Sequence, residues 1–385
     1  MKNWNMILFF TIVLAIYSML NYYIFARGWQ AIPRGSTLRT YYLILFIFIA
    51  LTFFTGRLLE NRVPVFVSDI LIWIGSFWWG AILYFLLIII ALDLIRLINR
   101  LLPFYPSIIA DNYAVVKQLI AAAAIVIVAI TMVVGYFNAR NVRVKTLTLS
   151  IPKDAGAWRS LNIVSASDIH LGTVIGRKML DRIVEKINAL NPDIVLLPGD
   201  IIDEDPIPAM RQNLGESLKK IKAPLGVYAV TGNHEYYGGV QAACEYLEAH
   251  GIKMLRDTTI KIADSFYLVG RDDREKSRIT GQRRKSLEEL LADVDKSYPI
   301  IVLDHQPFGL QKVAESGIDF QISGHTHYGQ LWPLGYITNL IYELSWGYKL
   351  IGSTHFYVSS GAGTWGPPMR LGNVPEIVNY RISFR

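Results

Sequence analysis

Five short segments carry most of the chemistry open to this chain: SDIHLG, PGDIID, GNHEYYGG, LDHQP and SGHTHYGQ. They hold five of its seven histidines, His170, His234, His305, His325 and His327, beside Asp168, Asp200 and Asn233. Asp168 and His170 are two residues apart, so at the end of an extended run both side chains leave the same face and can meet one ion. His325 and His327 repeat that spacing. Asp200 closes a neighbouring run, where one carboxylate could bridge two ions. Imidazole and oxygen donors without thiolates suit manganese, iron or zinc rather than an iron–sulfur or structural zinc site. Taken singly, each segment is ordinary. A lone Asp-x-His is more often a turn or a cap than a ligand pair, and Asp203 is expected to cap its turn through a backbone hydrogen bond. The set differs because every member follows an apolar run, and folding alone has no need of five such coincidences.

Those runs are the elements that must position the donors. LNIVSAS leads to Asp168, DIVLLPG to Asp200, GVYAVTG to Asn233, PIIVLD to His305 and FQISG to His325. Helical patterns separate them in GRKMLDRIVEKINAL, the stretch from Met210 to Ile221, LEELLADVDK and FGLQKVAESG. Strands alternating with helices predict an α/β domain whose polar cluster lies beyond the strand ends. NVRVKTLTLSIP alternates like a half-exposed leading strand, and FYVSS and VNYRISF predict a second set of strands near the end. The only cysteine, Cys244, sits in the helical-looking VQAACEYLEAH. It is expected as a buried thiol, and alone it can form no intrachain disulfide.

In order, the motifs read Asp168-Ile169-His170, Gly199-Asp200-Ile201-Ile202-Asp203, Gly232-Asn233-His234-Glu235, His305 and Gly324-His325-Thr326-His327. This pattern resembles the calcineurin-like metallophosphoesterases. The resemblance covers Leu161 to Arg385, and the closing YVSSGAGTWGPPMRLGNVPEI is similar to a bacterial, membrane-attached branch with lipid-processing members. It implies an α/β double sheet flanked by helices and two divalent ions. Asp168, His170 and His327 would hold the first ion, Asp200 would bridge, and Asn233, His305 and His325 would hold the second. His234 would be the catalytic side chain, meeting the substrate phosphate and protonating the leaving oxygen. Two ions would neutralise the phosphate and acidify the attacking water. One departure is visible: Tyr328 stands where relatives of this branch often carry glycine, adding a ring near the site mouth.

Before residue 140 the chain changes character. Hydrophobic residues make up 52% of the whole, and the mean hydropathy of +0.32 is high because of this part. Four uncharged stretches, Asn3–Ala26, Thr40–Gly56, Ile70–Leu92 and Gln118–Ala139, are candidate membrane spans, the second being short. The expected organisation is therefore a transmembrane region over 1–139 with about four helices, a linker and leading strand over 140–160, and the catalytic domain over 161–385. LIRLINRLLPFYP could lie along the membrane surface or serve as a plain connection. The basic residues flanking the spans fall six on each side, so an even span count and Lys2 carry the expectation of a cytoplasmic catalytic domain.

The formal net charge is +7, but the basic residues are scattered and flank apolar segments, so lipid headgroups rather than nucleic acid are the expected partner. No ionisable residue lies inside the four stretches, which argues against a transport pathway. The expected activity is metal-dependent hydrolysis of a phosphoester, lipid-linked because the domain is tied to a bilayer. A phosphodiesterase for soluble nucleotides and a non-catalytic membrane sensor or scaffold are the competing readings.

Overall fold

The structure, a computed structural model, describes residues 2–60 and 62–385, with the backbone alone for residues 2–7, 9 and 10. The chain divides into two compact units, residues 1–135 and 136–385.

Long apolar helices build the first unit: α1 (Lys2–Ala31), α2 (Leu38–Leu59), α3 (Val65–Leu101), the short α4 (Ser107–Asp111) and α5 (Tyr113–Ala139). Three of them, α2, α3 and α5, are long and apolar enough to cross a membrane, and they make the chain a multi-pass integral membrane protein. The second stretch is not short after all. Its helix has 22 residues because Arg39 and Arg57 lie inside it, near its ends, where long cationic side chains can reach polar surroundings. Arg39 does so by donating to the Ile32 carbonyl at 2.9 Å. The expected span Asn3–Ala26 falls within α1, though its first side chains lie outside the described residues.

The stretch LIRLINRLLPFYP divides: residues 102–106 are a plain connection, and the part before them is helical. That part continues α3, whose 37 residues extend about 55 Å at roughly 1.5 Å per residue. Nothing in the sequence interrupts the helix before Pro103, which disfavours helical geometry just ahead of it. In the prolonged part, Asp93 accepts from Tyr23 at 2.5 Å, pairs with Arg27, and accepts from Arg96 at 2.8 Å. This knot ties α1 to α3. Lower down, Gly75 lets α3 approach the backbone of α2 at Phe53, which any Cβ there would strike.

Two six-stranded sheets form the second unit. The first has the order β1 (Arg143–Ser150), β12 (Glu376–Ser383), β2 (Ser160–Ser165), β3 (Ile194–Pro198), β4 (Val227–Val230), β5 (Ile252–Met254). The second runs β10 (Gly347–Ile351), β11 (Thr354–Val358), β9 (Phe320–Ser323), β8 (Ile300–Leu303), β7 (Phe266–Gly270), β6 (Thr258–Ile262). Alternation along the strands sends Ile163, Leu196, Val230, Leu268, Leu303 and Ile322 into the core between the sheets. The opposite residues, such as Val164, Val195 and Leu197, face α6 (Arg177–Ala189) through Leu180, Ile183 and Ile187. A third cluster covers the outer face of the second sheet with Leu287, Leu290 and Leu310.

Two helical expectations shrink. The stretch from Met210 to Ile221 breaks into turns at 207–211 and 215–218, because Asn213 takes a left-handed φ of 51°. LEELLADVDK is helical only over Leu287–Leu290, started by a capping box of Ser286 and Glu289. Cys244 is buried in the helix Val240–Ala249.

Candidate metal centre

β2, β3 and β4 run parallel in one sheet, β8 and β9 parallel in the other. Each expected donor follows the end of one of these strands, Asn233 at the start of the helix Asn233–Gly238 and His327 at the start of a 3-10 turn. The backbone there is left-handed at non-glycine residues: φ is 51° at Asp168, 54° at His170, 51° at Asp200, 73° at His325 and 47° at His327. Such positions cost on the order of 1–3 kcal/mol each and persist only where the surroundings over-determine them. Here the loops are bonded to one another. Asp168 N–H donates to Gly199 O at 3.1 Å, His170 N–H to Asp200 O at 3.0 Å, and Gly363 N–H to Asp168 O at 2.9 Å. Close approach is part of the design: a Cβ on Gly232 would strike the Asp200 carboxylate, and one on Gly324 the Asp168 carboxylate.

The side chains converge in two clusters. In the first, His170 Nε2 and His327 Nε2 are 3.0 Å apart, and His327 Nε2 is 3.4 Å from Asp168 Oδ1. In the second, Asp200 Oδ2 is 3.1 Å from His305 Nε2, and Asn233 Oδ1 lies 3.2 Å from His305 Nε2 and 2.8 Å from His325 Nδ1. Asp200 faces both, since its Oδ2 is also 3.8 Å from His170 Nε2. His305 is held by a 2.7 Å contact between its Nδ1 and the Pro198 carbonyl, which leaves Nε2 for the cluster.

His234 forms a third group with His170 and Asp203. Asp203 Oδ1 is 3.5 Å from His170 Nδ1 and 3.4 Å from His234 Nδ1, so its carboxylate meets two imidazoles.

The donor set fits divalent ions on two counts. Nitrogens and oxygens point at shared centres, and Asp168 Oδ2 is buried without a hydrogen-bond partner. Electrostatics agrees. Burial disfavours charge throughout, yet Asp200 stays well below the usual carboxylate range because His305, His234 and His170 surround it. Burial and the neighbouring His305 push His325 down to about 3, leaving a neutral imidazole. His234 goes the other way. Burial opposes its charge, but Asp200 and Asp203 push it up to about 9.

The calcineurin-like phosphoesterase profile matches residues 161–329. An uncharacterized metallophosphoesterase of Campylobacter jejuni is 30% identical over 383 residues, 97% of each chain. The chain belongs to the calcineurin-like metallophosphoesterases. A zebrafish transmembrane protein with a metallophosphoesterase domain is 35% identical over 66% of this chain and 61% of its own length. An uncharacterized metallophosphoesterase of Aquifex aeolicus is 35% identical over 57% of this chain and 83% of its own. This metallophosphoesterase is accordingly a metal-dependent hydrolase.

One site residue of the metallophosphoesterase escaped sequence reasoning, and a second was read there only as part of a motif. Arg370 is fully buried and approaches His327 Nδ1 at 3.1 Å while donating to Gly363 O at 2.7 Å and Asn373 Oδ1 at 2.9 Å. No spacing rule announces it. Glu235 closes the Gly-Asn-His-Glu motif, and its carboxylate accepts the N–H groups of Asp200, Ile201, Ile202 and Gly232 at 3.1, 2.7, 2.9 and 2.7 Å. Tyr328, expected near the mouth, packs its ring on Trp346 at 5.1 Å.

Glu235→Gln turns an acceptor pair into an acceptor and a donor, setting an amide N–H against a backbone N–H. Metal affinity is expected to fall about 10–100-fold and stability by about 1–3 kcal/mol. Metal titration of the purified protein and its thermal midpoint check both, and an unchanged affinity would remove Glu235 from the support of the site.

Proposed function

We propose that the two clusters hold a pair of divalent ions of manganese, iron or zinc, and that the enzyme hydrolyses a phosphoester carried on a lipid. Asp168, His170 and His327 would hold one ion and Asn233, His305 and His325 the other, with Asp200 facing both groups. Bound there, the ions supply the charge that neutralises the phosphoryl oxygens and acidifies a water for in-line attack.

The protein's own groups do what remains. His234 is buried beside the clusters and, with its affinity for protons raised, holds a proton at neutral pH. It can place that proton on the leaving oxygen or stabilise charge developing there. Asp203 orients it. The T-shaped contact of the Trp365 ring with His234, at 5.7 Å, screens the same side from water.

The observation supporting a lipid substrate is an apolar collar beside the site. The helix Leu334–Ile341 starts seven residues after His327 and has no buried residue. It exposes Tyr336, Ile337, Leu340 and Ile341, with Leu340 87% exposed, and Trp332 and Trp365 stand open nearby. The Gln330 side chain bonds the Trp365 and Pro367 carbonyls at 2.8 and 3.0 Å, joining the two tryptophan-bearing loops. Contiguous exposed apolar surface of this kind suits acyl chains or a membrane face. Asn138, in the last turn of α5, donates to the Arg370 and Asn373 carbonyls at 3.0 and 2.8 Å.

Turnover of a phosphorylated diacyl lipid in mixed micelles should exceed that of a soluble nucleotide diester, and Leu340→Asp should lower the lipid rate alone. Turnover of the nucleotide only, in micelles and liposomes alike, would overturn the lipid assignment and favour a soluble substrate.

Asp200→Asn should lose metal and activity together while the domain stays folded, since one carboxylate spaces both ions. His234→Ala should keep most of its metal and lose roughly 10²–10⁴-fold in turnover. Metal analysis beside kinetics separates the two roles: if His234→Ala sheds metal as fully as His325→Ala, His234 is a ligand.

The catalytic unit is proposed to face the cytoplasm, with α1 as a fourth span. In a Cys244→Ser background, Lys285→Cys should resist an impermeant maleimide in intact cells and react once they are opened. Labelling of intact cells would place the site outside.

A further inference from the structure

The membrane unit contains a cavity of about 890 Å³ between α1, α2, α3 and α5. Its two ends differ in chemistry. Arg27 and Arg34 come from the end of α1 and the residues after it, Arg39 from the start of α2, Arg96 from the end of α3, and Lys117 from the start of α5. Chain direction alone therefore gathers five cations at one end. Deeper along the helices the walls are apolar, with Phe46, Trp78, Phe85, Ile89 and Ala121.

The cationic end is not neutralised from within. No acidic residue is among the described residues lining the cavity. Asp93, nearby, is shared between Arg27 and Arg96. Lys117 donates to the Gln30 carbonyl at 3.3 Å, a neutral partner, and Arg39 likewise bonds the carbonyls of Ile32 and Trp29 at 2.9 and 3.5 Å. Arg34 is exposed. Two helix starts, of α2 and α5, meet two helix ends, of α1 and α3, at this place, so the helix dipoles offset one another and the field is that of the basic side chains.

We propose that this cavity is a binding site for one intact membrane phospholipid with a net negative head group, separate from the metal centre. The phosphate and any further anionic group lie among Arg34, Arg39 and Lys117, and an acyl chain fills the apolar part toward Trp78. Its volume falls in the range that encloses an amphiphilic ligand. Charge complementarity selects an anionic over a zwitterionic head group, and the apolar depth selects a lipid over free phosphate.

The test uses the full-length protein in detergent, with dioleoyl phosphatidylglycerol, dioleoyl phosphatidylcholine and inorganic phosphate as probes, read by native mass spectrometry. One phosphatidylglycerol should be retained per chain, unhydrolysed, where phosphatidylcholine is not, and millimolar phosphate should not displace it. Arg34→Gln with Lys117→Gln should weaken retention more than tenfold, since each basic residue near an anionic lipid contributes on the order of fivefold. Ala121→Trp, which fills the apolar part without changing charge, should abolish it. Both variants should keep metal-dependent turnover of a soluble phosphoester, which shows that they fold and separates this site from the lipid-substrate reading. Equal retention of the two lipids, displacement by phosphate, or unchanged retention in both variants would overturn the proposal.

Discussion

One buried carboxylate organises the metal centre. Glu235 gathers four backbone N–H groups from the Asp200 loop and its own turn, a charge-assisted arrangement that is strong in a low-dielectric interior. Those donors are otherwise orphaned, because the chain at Asp200 has left its strand and taken a left-handed bend. With the loop fixed, Asp200 Oδ1 accepts from the His234 backbone at 2.9 Å, and Oδ2 is free to face His305 and His170. Asp168 is fixed similarly, its Oδ1 accepting from His325 N–H at 2.8 Å. Each carboxylate is thus pinned by a backbone N–H, while Asp168 Oδ2 is left buried without a hydrogen-bond partner.

Much of this was legible because the ligands announce themselves by position. An apolar run ending in a donor is a one-dimensional signal, and the parallel strands carry five such ends to one edge. What sequence could not show was how the second layer closes. Asp203 reads as a turn residue by its local spacing, while its contacts with His170 and His234 come from segments about thirty residues away on either side. Arg370 lies in a loop without regular structure, and its partners come from residues 327, 361, 363 and 373, a contact set that exists only after folding. The apolar collar was invisible for the opposite reason: a short amphipathic helix such as LGYITNLI reads like an ordinary core element.

In the membrane unit the sequence was legible in hydropathy and misleading in its boundaries. Counting uncharged residues stops a span at its first arginine, but a helix stops where its backbone does. α2 therefore gains residues at both ends, and α3 runs on through Asp93, Arg96 and Arg100 until Pro103 ends it. The same long side chains that blur the span limits meet at one end of the bundle, where Tyr23, Arg27, Asp93 and Arg96 form a polar knot.

The position of β12 has a consequence for how the protein is made. It lies between β1 and β2, pairing with Arg143–Ser150 in parallel over eight residues and with Ser160–Ser165 in antiparallel over six. During synthesis the membrane helices and both of those strands leave the ribosome long before Glu376–Ser383 does. The first sheet then waits with two unpaired edges facing each other, and no earlier segment of the chain fills the gap. Non-local pairing of this kind is slow to form and leaves strand edges open to wrong partners in the meantime. The loop carrying Arg370 and the Asn138 contacts immediately precedes β12, so the metal centre acquires this support only after every other strand of both sheets has been made.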